Sequence, residues 1–289
     1  SGGFFFYIHS PYLDGIINRK LTKMRKIYLI ITVATLAFSC NDISKTKEAV
    51  EDSNNYIQWS NGNELHDEMI GSGINHFLNI EREKAYVFFE KAVKIDSTSF
   101  AAHVMLSTLS LPKSKQQELH YQLAKTYSKN ENENSKRFVT LLDIKSENGN
   151  RGIWGSTKEK NEIWEKMYES EPRGGFIQFH RATSNPILTE RIGYLEEVKE
   201  AWGEPNNAAV INYLGYLYYQ NGDKEKSEES FKKYLELYPE GYNSLDSMAE
   251  FYMLEKNYDE AKKYYEMVLN VFPYSNSARS SLKEIKNMK

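Results

Sequence analysis

Cysteine is almost absent from this sequence of 289 residues, because only Cys40 is present. A single thiol excludes an intramolecular disulfide. Proline is scarce as well, with seven residues, and four of them mark the ends of sequence repeats. Basic residues are not in excess either, since the formal net charge is −3. This charge argues against a nucleic acid partner, because binding to phosphates needs a basic surface.

The apolar run near the N-terminus is too short to cross a membrane. It covers 27–38 and follows the basic pair Arg25-Lys26. A helix of that length measures about 18 Å, whereas the hydrocarbon core of a bilayer is about 30 Å thick. A basic start, a short apolar stretch and small residues before a cleavage site are typical of a secretory signal.

The signal-like segment ends at the one cysteine. Residues 37–40, with the sequence Ala-Phe-Ser-Cys, resemble the lipobox of bacterial lipoproteins. That resemblance implies cleavage before Cys40 and attachment of diacylglycerol to its thiol, and Asn41 favours sorting to the outer membrane of the bacterial envelope. We therefore expect an upstream extension at 1–23, a signal peptide at 24–39, and an anchor with a flexible tether at 40–60. The alternative is an incidental or buried cysteine.

A repeat of fixed length occupies the C-terminal part of the chain. Successive repeats end at nearly constant intervals, at Pro172, Pro205, Pro239 and Pro273. The residues between the prolines repeat too, so that Gly215 and Phe231 recur as Ala249 and Tyr265. A period of about 34 residues predicts pairs of antiparallel helices stacked into a solenoid. The small residues allow close helix contacts, and the prolines stop the second helix of each pair.

These positions resemble the tetratricopeptide repeat family. The resemblance is best at 66–99, 208–241 and 242–275, while 99–129, 133–171 and 173–205 fit as degenerate copies. It implies an all-α, right-handed superhelical solenoid over 61–289. We expect a final amphipathic helix at 276–288 to cap it, because the last repeat would otherwise expose its apolar face. We also expect an extra loop near 146–157. The predicted helix pairs are 62–78 with 81–95, 99–110 with 114–128, 133–146 with 157–169, 174–183 with 189–202, 207–220 with 224–237, and 242–254 with 258–271.

The first helix of each pair is expected to line the concave side of such a solenoid. Helical spacing then predicts a partner-binding groove formed by Asn212, Tyr216, Tyr219, Asp246 and Glu250. The same register extended to the first pair adds an exposed apolar patch of Ile70, Ile74 and Phe77. Two alternatives remain open: the tyrosines only pack between repeats, and the apolar patch is buried through a register difference of one residue.

No catalytic constellation is present in the sequence. The six histidines form no pair with metal-ligand spacing on one helix face, so we expect no metal, no cofactor and no enzyme activity. The groove lacks the lysine and arginine side chains with which family members hold chaperone carboxylates. The sequence favours a lipid-anchored scaffold that binds a protein or peptide partner. The alternative is a ligand-binding lipoprotein that captures glycan or peptide for a transport system.

Overall fold

The computed structural model describes residues 55–155 and 157–288 as a solenoid of antiparallel helix pairs. The described residues form 13 α-helices and one short 3-10 helix, without any strand, which confirms the predicted fold class. The first three pairs are α1 (Glu64–Leu78) with α2 (Arg82–Ile95), α3 (Phe100–Leu109) with α4 (Lys115–Tyr127), and α5 (Glu133–Thr140) with α6 (Lys158–Ser170). The next three are α7 (Gly175–Ser184) with α8 (Leu188–Trp202), α9 (Ala208–Gln220) with α10 (Lys224–Leu237), and α11 (Tyr242–Leu254) with α12 (Tyr258–Val271). The last helix is α13 (Asn276–Met288).

Several helices begin where a polar side chain accepts hydrogen bonds from the first free amide groups. Asn63 accepts from two amides at the start of α1, Asp223 caps α10, and Asn257 caps α12. Such caps stabilise a helix start by roughly 1 kcal/mol each. Because caps and prolines are local signals, the predicted bounds of these helices lie within two residues of the observed ones.

Glycine permits the closest helix contacts in the first and fifth pairs. A Cβ atom at Gly215 would lie 2.7 Å from the ring of Phe231, and one at Gly73 would lie 2.8 Å from the ring of Phe89. Both distances are far below van der Waals contact. The predicted role of Gly215, which is to let α9 approach α10, is therefore confirmed.

The third pair differs from the prediction. Its first helix was expected over 133–146, but α5 ends at Thr140 and a 3-10 turn, Leu141–Asp143, follows. Ile144 is extended, and Gly149 adopts a φ of +84°, so the chain turns instead of continuing the helix. The first part of the loop that follows is exposed, and its last part turns inward, where Ile153 is 1% exposed.

The apolar patch expected on the inner face of α1 is buried, so the prediction of an exposed patch is wrong. Burial is what the alternative expected, although the structure explains it by packing and not by a register difference of one residue. Ile70, Ile74 and Phe77 are 2%, 1% and 4% exposed. The reason is the inward loop: the indole of Trp154 stacks on the ring of Phe77 with centroids 5.1 Å apart, and Phe176 of α7 lies 6.2 Å from the same ring. The packing depends on a loop whose path has no periodic signal.

The packed part of the chain begins before residue 61, where we had predicted its start. Trp59 packs edge-to-face on Phe138 and Phe176, with ring centroids 5.3 and 5.0 Å away. The amide of Gln58 donates to Ser135 Oγ at 2.9 Å. The segment just before α1 is therefore part of the core, and the predicted tether does not extend to residue 60.

The C-terminal helix α13 packs on α12 as the predicted cap. Its Ala278 and Ile285 are buried, and Leu282 is partly buried beside them. Across 55–155 and 157–288, no helix combines the length and the apolar character that a membrane span requires. The predicted extension, signal peptide and lipid attachment at Cys40 lie outside the described residues.

Candidate functional site

The candidate site is the polar inner face of α9 and α11, which we call the inner stripe. It consists of Asn212, Tyr216 and Tyr219 on α9 together with Asp246 and Glu250 on α11. The two helices are equivalent elements of consecutive pairs, and the repeat offset matches Asn212 with Asp246 and Tyr216 with Glu250. Their side chains therefore meet as neighbours across one helix–helix junction.

Tyr216 and Glu250 are brought together. The Tyr216 hydroxyl donates to Glu250 Oε2 at 2.5 Å and lies 3.1 Å from Ser247 Oγ. The Tyr216 ring packs edge-to-face on Phe231, with centroids 4.8 Å apart. Burial and the neighbouring carboxylate raise the pKa of Tyr216 well above its usual value, so it remains a hydrogen-bond donor. The contact fixes the Glu250 carboxylate, which has no cationic partner within 55–155 and 157–288.

Tyr219 lies at the edge of the stripe and is already paired. Its hydroxyl donates to Glu255 Oε1 at 2.8 Å, and Lys224 Nζ lies 2.7 Å from the same oxygen. Tyr219 also packs edge-to-face on Phe251. This arrangement agrees with the alternative that the tyrosine packs between repeats. The acids of the stripe that have no basic partner among the described residues are therefore Asp246 and Glu250.

Asp246 is the most perturbed acid of the stripe. Burial and the charge of Glu250 raise the pKa of its carboxyl group from 3.8 to about 7. Its Oδ1 atom is buried and has no hydrogen-bond partner. A carboxylate that is removed from water without a partner is costly, and a nearby like charge adds to that cost. The site is therefore prepared for a proton or for a cation.

Several other partly or fully buried acids of the described chain have a basic partner. Glu81 pairs with Lys84, Glu196 with Lys199, and Glu165 with Arg181, at N–O distances of 3.0 Å or less. In the part of the chain that the structure describes, neither Asp246 nor Glu250 forms an ion pair. Among the described residues, the inner stripe is thus an acidic pair without a basic partner.

Asn212 adds a second group without a partner. It is 0% exposed, and both its Oδ1 and its Nδ2 are buried without a hydrogen bond. Leaving a buried amide unsatisfied costs roughly 1–3 kcal/mol. Since Asn212 stands one helical turn before Tyr216, as Asp246 stands one turn before Glu250, the two unpartnered groups face the same junction. A buried asparagine was not expected here, because its position alone indicated an exposed groove.

The remaining predicted contributors are not part of this surface. Ile70, Ile74 and Phe77 are core residues, and Cys40 lies outside the described residues. In contrast, a pair of histidines that the sequence did not indicate comes together across α3 and α4. The Nδ1 atoms of His103 and His120 lie 2.9 Å apart, and His103 Nε2 lies 3.0 Å from the carbonyl of Ser97.

This histidine pair is neutral. His103 Nε2–H donates to the carbonyl, so its Nδ1 accepts from His120 Nδ1–H. Burial, together with the neighbouring His103, lowers the pKa of His120 to about 4. Within 55–155 and 157–288, no group of three or more His, Cys, Asp or Glu side chains could hold a metal ion. The pair therefore forms a buried hydrogen-bond unit.

A second concave feature lies between α8, α9 and α10, on the other side of α9. It is a cleft of about 590 Å³ whose floor includes Ile211 and Leu214. Some of its charges are paired, since Lys233 contacts Glu204 at 3.0 Å and Lys199 contacts Glu196. Unlike the inner stripe, the cleft therefore contains basic side chains beside its acids.

Two segments of the chain match the tetratricopeptide repeat family, at residues 208–240 and 244–275. The chain therefore contains two tetratricopeptide repeats, and they are the fifth and sixth helix pairs that carry the inner stripe. The copy at 66–99 stays a prediction. A comparison with curated proteins finds no match.

Solved structures with related folds include the Cut9–Hcn1 hetero-tetramer of the APC/C, at 15% identity and a TM-score of 0.46, covering 76% of this chain and 42% of that one. PilW, a type IV pilus biogenesis factor, has 15% identity and a TM-score of 0.43, covering 76% of this chain and 99% of its own. YrrB, a repeat protein with an unusual peptide-binding site, has 16% identity and a TM-score of 0.37, covering 75% and 91%. The chain thus spans less than half of the Cut9 chain. These similarities concern the fold alone.

Proposed function

We propose that this chain is a lipid-anchored interaction scaffold of the bacterial cell envelope, and that its inner stripe binds a protein or peptide partner. The two tetratricopeptide repeats support a protein-interaction role, since such repeats serve as scaffolds rather than catalytic domains. The anchor and the envelope location are supported by the sequence pattern that ends at Cys40.

The acidic pair is the observation that carries the proposal. Asp246 and Glu250 lie on one face of α11, partly buried, with no lysine or arginine beside them in the described residues. A lysine or arginine side chain from a partner would pair with both carboxylates and give Asp246 Oδ1 the partner that it lacks. We therefore propose a partner segment with a basic residue at its centre.

Hydrogen-bond capacity supports a peptide in particular. A peptide backbone offers one donor and one acceptor per residue, which are the two groups that the Asn212 carboxamide is missing. Tyr216 holds Glu250 in place before a partner arrives, so little side-chain entropy would be lost on binding. The stripe thus combines a charge that selects the partner with an amide that could fix its backbone once Asn212, which is 0% exposed in this structure, is uncovered.

The test is a selection from a random peptide library displayed on phage. We expect the wild-type chain to enrich sequences that contain lysine or arginine, and the double variant Asp246→Asn/Glu250→Gln to lose that enrichment. The matched control is Glu197→Gln/Glu284→Gln, which removes the same charge from exposed positions of α8 and α13. Equal enrichment by the wild-type chain and the double variant would refute a role for the acidic pair.

The alternative, a lipoprotein that captures glycan or peptide for a transport system, predicts a different result where its ligand is a glycan. Soluble oligosaccharides would then raise the melting temperature of the wild-type chain, whereas basic peptides would not. Thermal-shift measurements with both ligand sets separate the two functions directly.

A further inference from the structure

The turn between α1 and α2 reaches across the solenoid to the junction of α10 and α11. Glu81 in this turn is 0% exposed. Its Oε2 accepts a hydrogen bond from the Tyr238 hydroxyl at 3.0 Å, and its Oε1 accepts one from the backbone amide of Tyr242 at 2.8 Å. Tyr238 and Tyr242 follow Glu81 by 157 and 161 positions in the sequence. One carboxylate thus joins the first helix pair to the start of the sixth.

Two basic groups of its own helix pair hold this carboxylate. His76 Nδ1 lies 2.7 Å and Lys84 Nζ lies 3.0 Å from Glu81 Oε2. Burial alone would raise the pKa of Glu81, but the hydrogen bonds from His76 and Lys84 outweigh it and lower the pKa. Beside it, the Tyr242 hydroxyl donates to Glu83 Oε2 at 2.8 Å. The carboxylate is therefore ionised and aimed at α11.

The residue at the N-cap position of α11 has no side chain that could cap the helix. Its N-cap residue is Gly241, which has no side chain, and a Cβ atom there would clash with the ring of Tyr238. The first amides of a helix lack intrahelical acceptors and attract negative charge. Tyr242 is the first residue of α11, so Glu81 supplies from another helix pair the cap that position 241 cannot carry.

The contact between the first and sixth pairs is polar, and the sixth pair has an apolar core of its own. That core lies within α11, α12 and α13 and contains no residue of the first pair; its buried members are Tyr242, Leu245, Ala249, Ala261, Tyr265, Val268, Ala278 and Ile285. A unit with its own core can move as a rigid body when a few polar bonds at its edge break. The fifth and sixth pairs share the buried cluster of Phe231, Met248 and Phe251, about which such a movement would turn. The contact that holds the start of α11 to the first pair is the set of hydrogen bonds made by Glu81.

The closed arrangement also contains features that opening would relieve. The side-chain atoms of Asn212 and the Oδ1 atom of Asp246 are buried without hydrogen-bond partners. Water would form hydrogen bonds with both groups if the stripe were open. Ile80, next to Glu81, is held at a φ of +62°, a left-handed conformation that β-branched residues rarely adopt. The contacts made by Glu81 offset these costs in the closed form.

We propose that Glu81, the Tyr238 hydroxyl and the Tyr242 amide form a releasable latch. While the latch is closed, the sixth helix pair is tied to the first and the inner stripe is confined. When Glu81 loses its hydrogen bonds to Tyr238 and Tyr242, the sixth pair moves outward and the stripe becomes accessible to a partner. The claim that the opening admits a partner rests on the proposed function. The opening itself does not depend on it. By linkage, a partner that binds the open stripe favours release of the latch.

The test measures the distance between the first and sixth pairs without any partner. Spin labels are placed at Lys94→Cys on α2 and Asn270→Cys on α12, both exposed, in the full chain with Cys40→Ala. Pulsed electron–electron double resonance should give one distance for the doubly labelled chain that is otherwise wild type apart from Cys40→Ala. Glu81→Gln should add a longer distance, and the Tyr242 amide should exchange its hydrogen about tenfold faster, because a neutral carboxamide oxygen accepts more weakly than a carboxylate. The control Glu68→Gln, exposed on α1, should change neither quantity.

The outcomes separate a latch from a purely structural cap. If Glu81→Gln keeps the single distance, the proposal is overturned, even where its melting temperature falls. If circular dichroism shows that Glu81→Gln does not fold, Tyr238→Phe decides, because it removes one hydroxyl and keeps the ring. A longer distance in Tyr238→Phe supports the latch, and an unchanged distance refutes it. A failed peptide selection would refute the proposed function and leave this distance result unaffected.

Discussion

The charge of Asp246 gives a prediction whose size follows from the structure. Asp246→Asn replaces the acid by a neutral group of nearly the same shape. The pKa of Asp246 rises from 3.8 to about 7 through burial and the charge of Glu250. At 1.36 kcal/mol per pKa unit, a shift of about three units corresponds to an upper bound of about 4 kcal/mol. Because solvent reaches part of the side chain, this bound is reduced. We expect Asp246→Asn to raise the free energy of unfolding at and above pH 7 by about 2–4 kcal/mol.

The sign follows from proton linkage. The folded state binds the proton of Asp246 more tightly than the unfolded state, so the contribution of Asp246 to the wild-type free energy of unfolding falls as the pH rises from 3.8 to about 7. The asparagine variant has no such term. The difference between variant and wild type should therefore be smallest below pH 4, grow in favour of the variant up to pH 7, and stay constant above it.

Urea titrations followed by circular dichroism between pH 4 and 8 measure this difference. Glu250→Gln serves as an internal check, because removing the neighbouring charge lowers the pKa of Asp246 and narrows the pH range of the effect. A difference between Asp246→Asn and the wild type that does not change with pH would refute the electrostatic account of the inner stripe.

Four other substitutions test the remaining parts of the account. Gly215→Leu should overpack the α9–α10 contact and lower the unfolding free energy by about 1–3 kcal/mol in a denaturant titration, and a neutral result would contradict the close contact. Ile74→Asp should cost at least about 3 kcal/mol, because it buries a carboxylate, and a wild-type melting temperature would show that the site is open. The contribution of His120 to the wild-type free energy of unfolding should be lost as the pH drops from 6.5 towards 4, since His120 is neutral when folded, so the stability difference between the wild type and His120→Asn should change over this pH range. Cys40→Ala should abolish the uptake of labelled fatty acid; the lipid anchor is refuted if the wild-type chain takes up none.

The fold was largely predictable because its signals are local. The spacing from Pro205 to Pro273 and the small residue at Gly215 set the bounds of the last two pairs within one or two residues. The third pair was less accessible, since α5 stops at Thr140 for reasons that lie in the following loop. Periodicity describes regular helices, and it contains no information on the path of an irregular segment.

The site was predictable only in part. The repeat period placed Tyr216 opposite Glu250, and the structure joins them. The burial of Phe77 was left open as an alternative, and its cause could not be predicted, because Phe77 packs on Trp154 from the loop after α5. Glu81 could not be found either, since its partners lie more than 150 positions further along the chain and nothing near it in sequence marks the contact.

The central claim is that the unneutralised acids of the inner stripe bind a basic partner segment. Its most direct test is calorimetric titration of a peptide selected by the wild-type chain into the wild type, Asp246→Asn/Glu250→Gln, and Glu197→Gln/Glu284→Gln. We predict at least a tenfold weaker Kd for the inner-stripe variant, which corresponds to about 1.4 kcal/mol, and an unchanged Kd for the surface variant. The same Kd for all three proteins would contradict the claim.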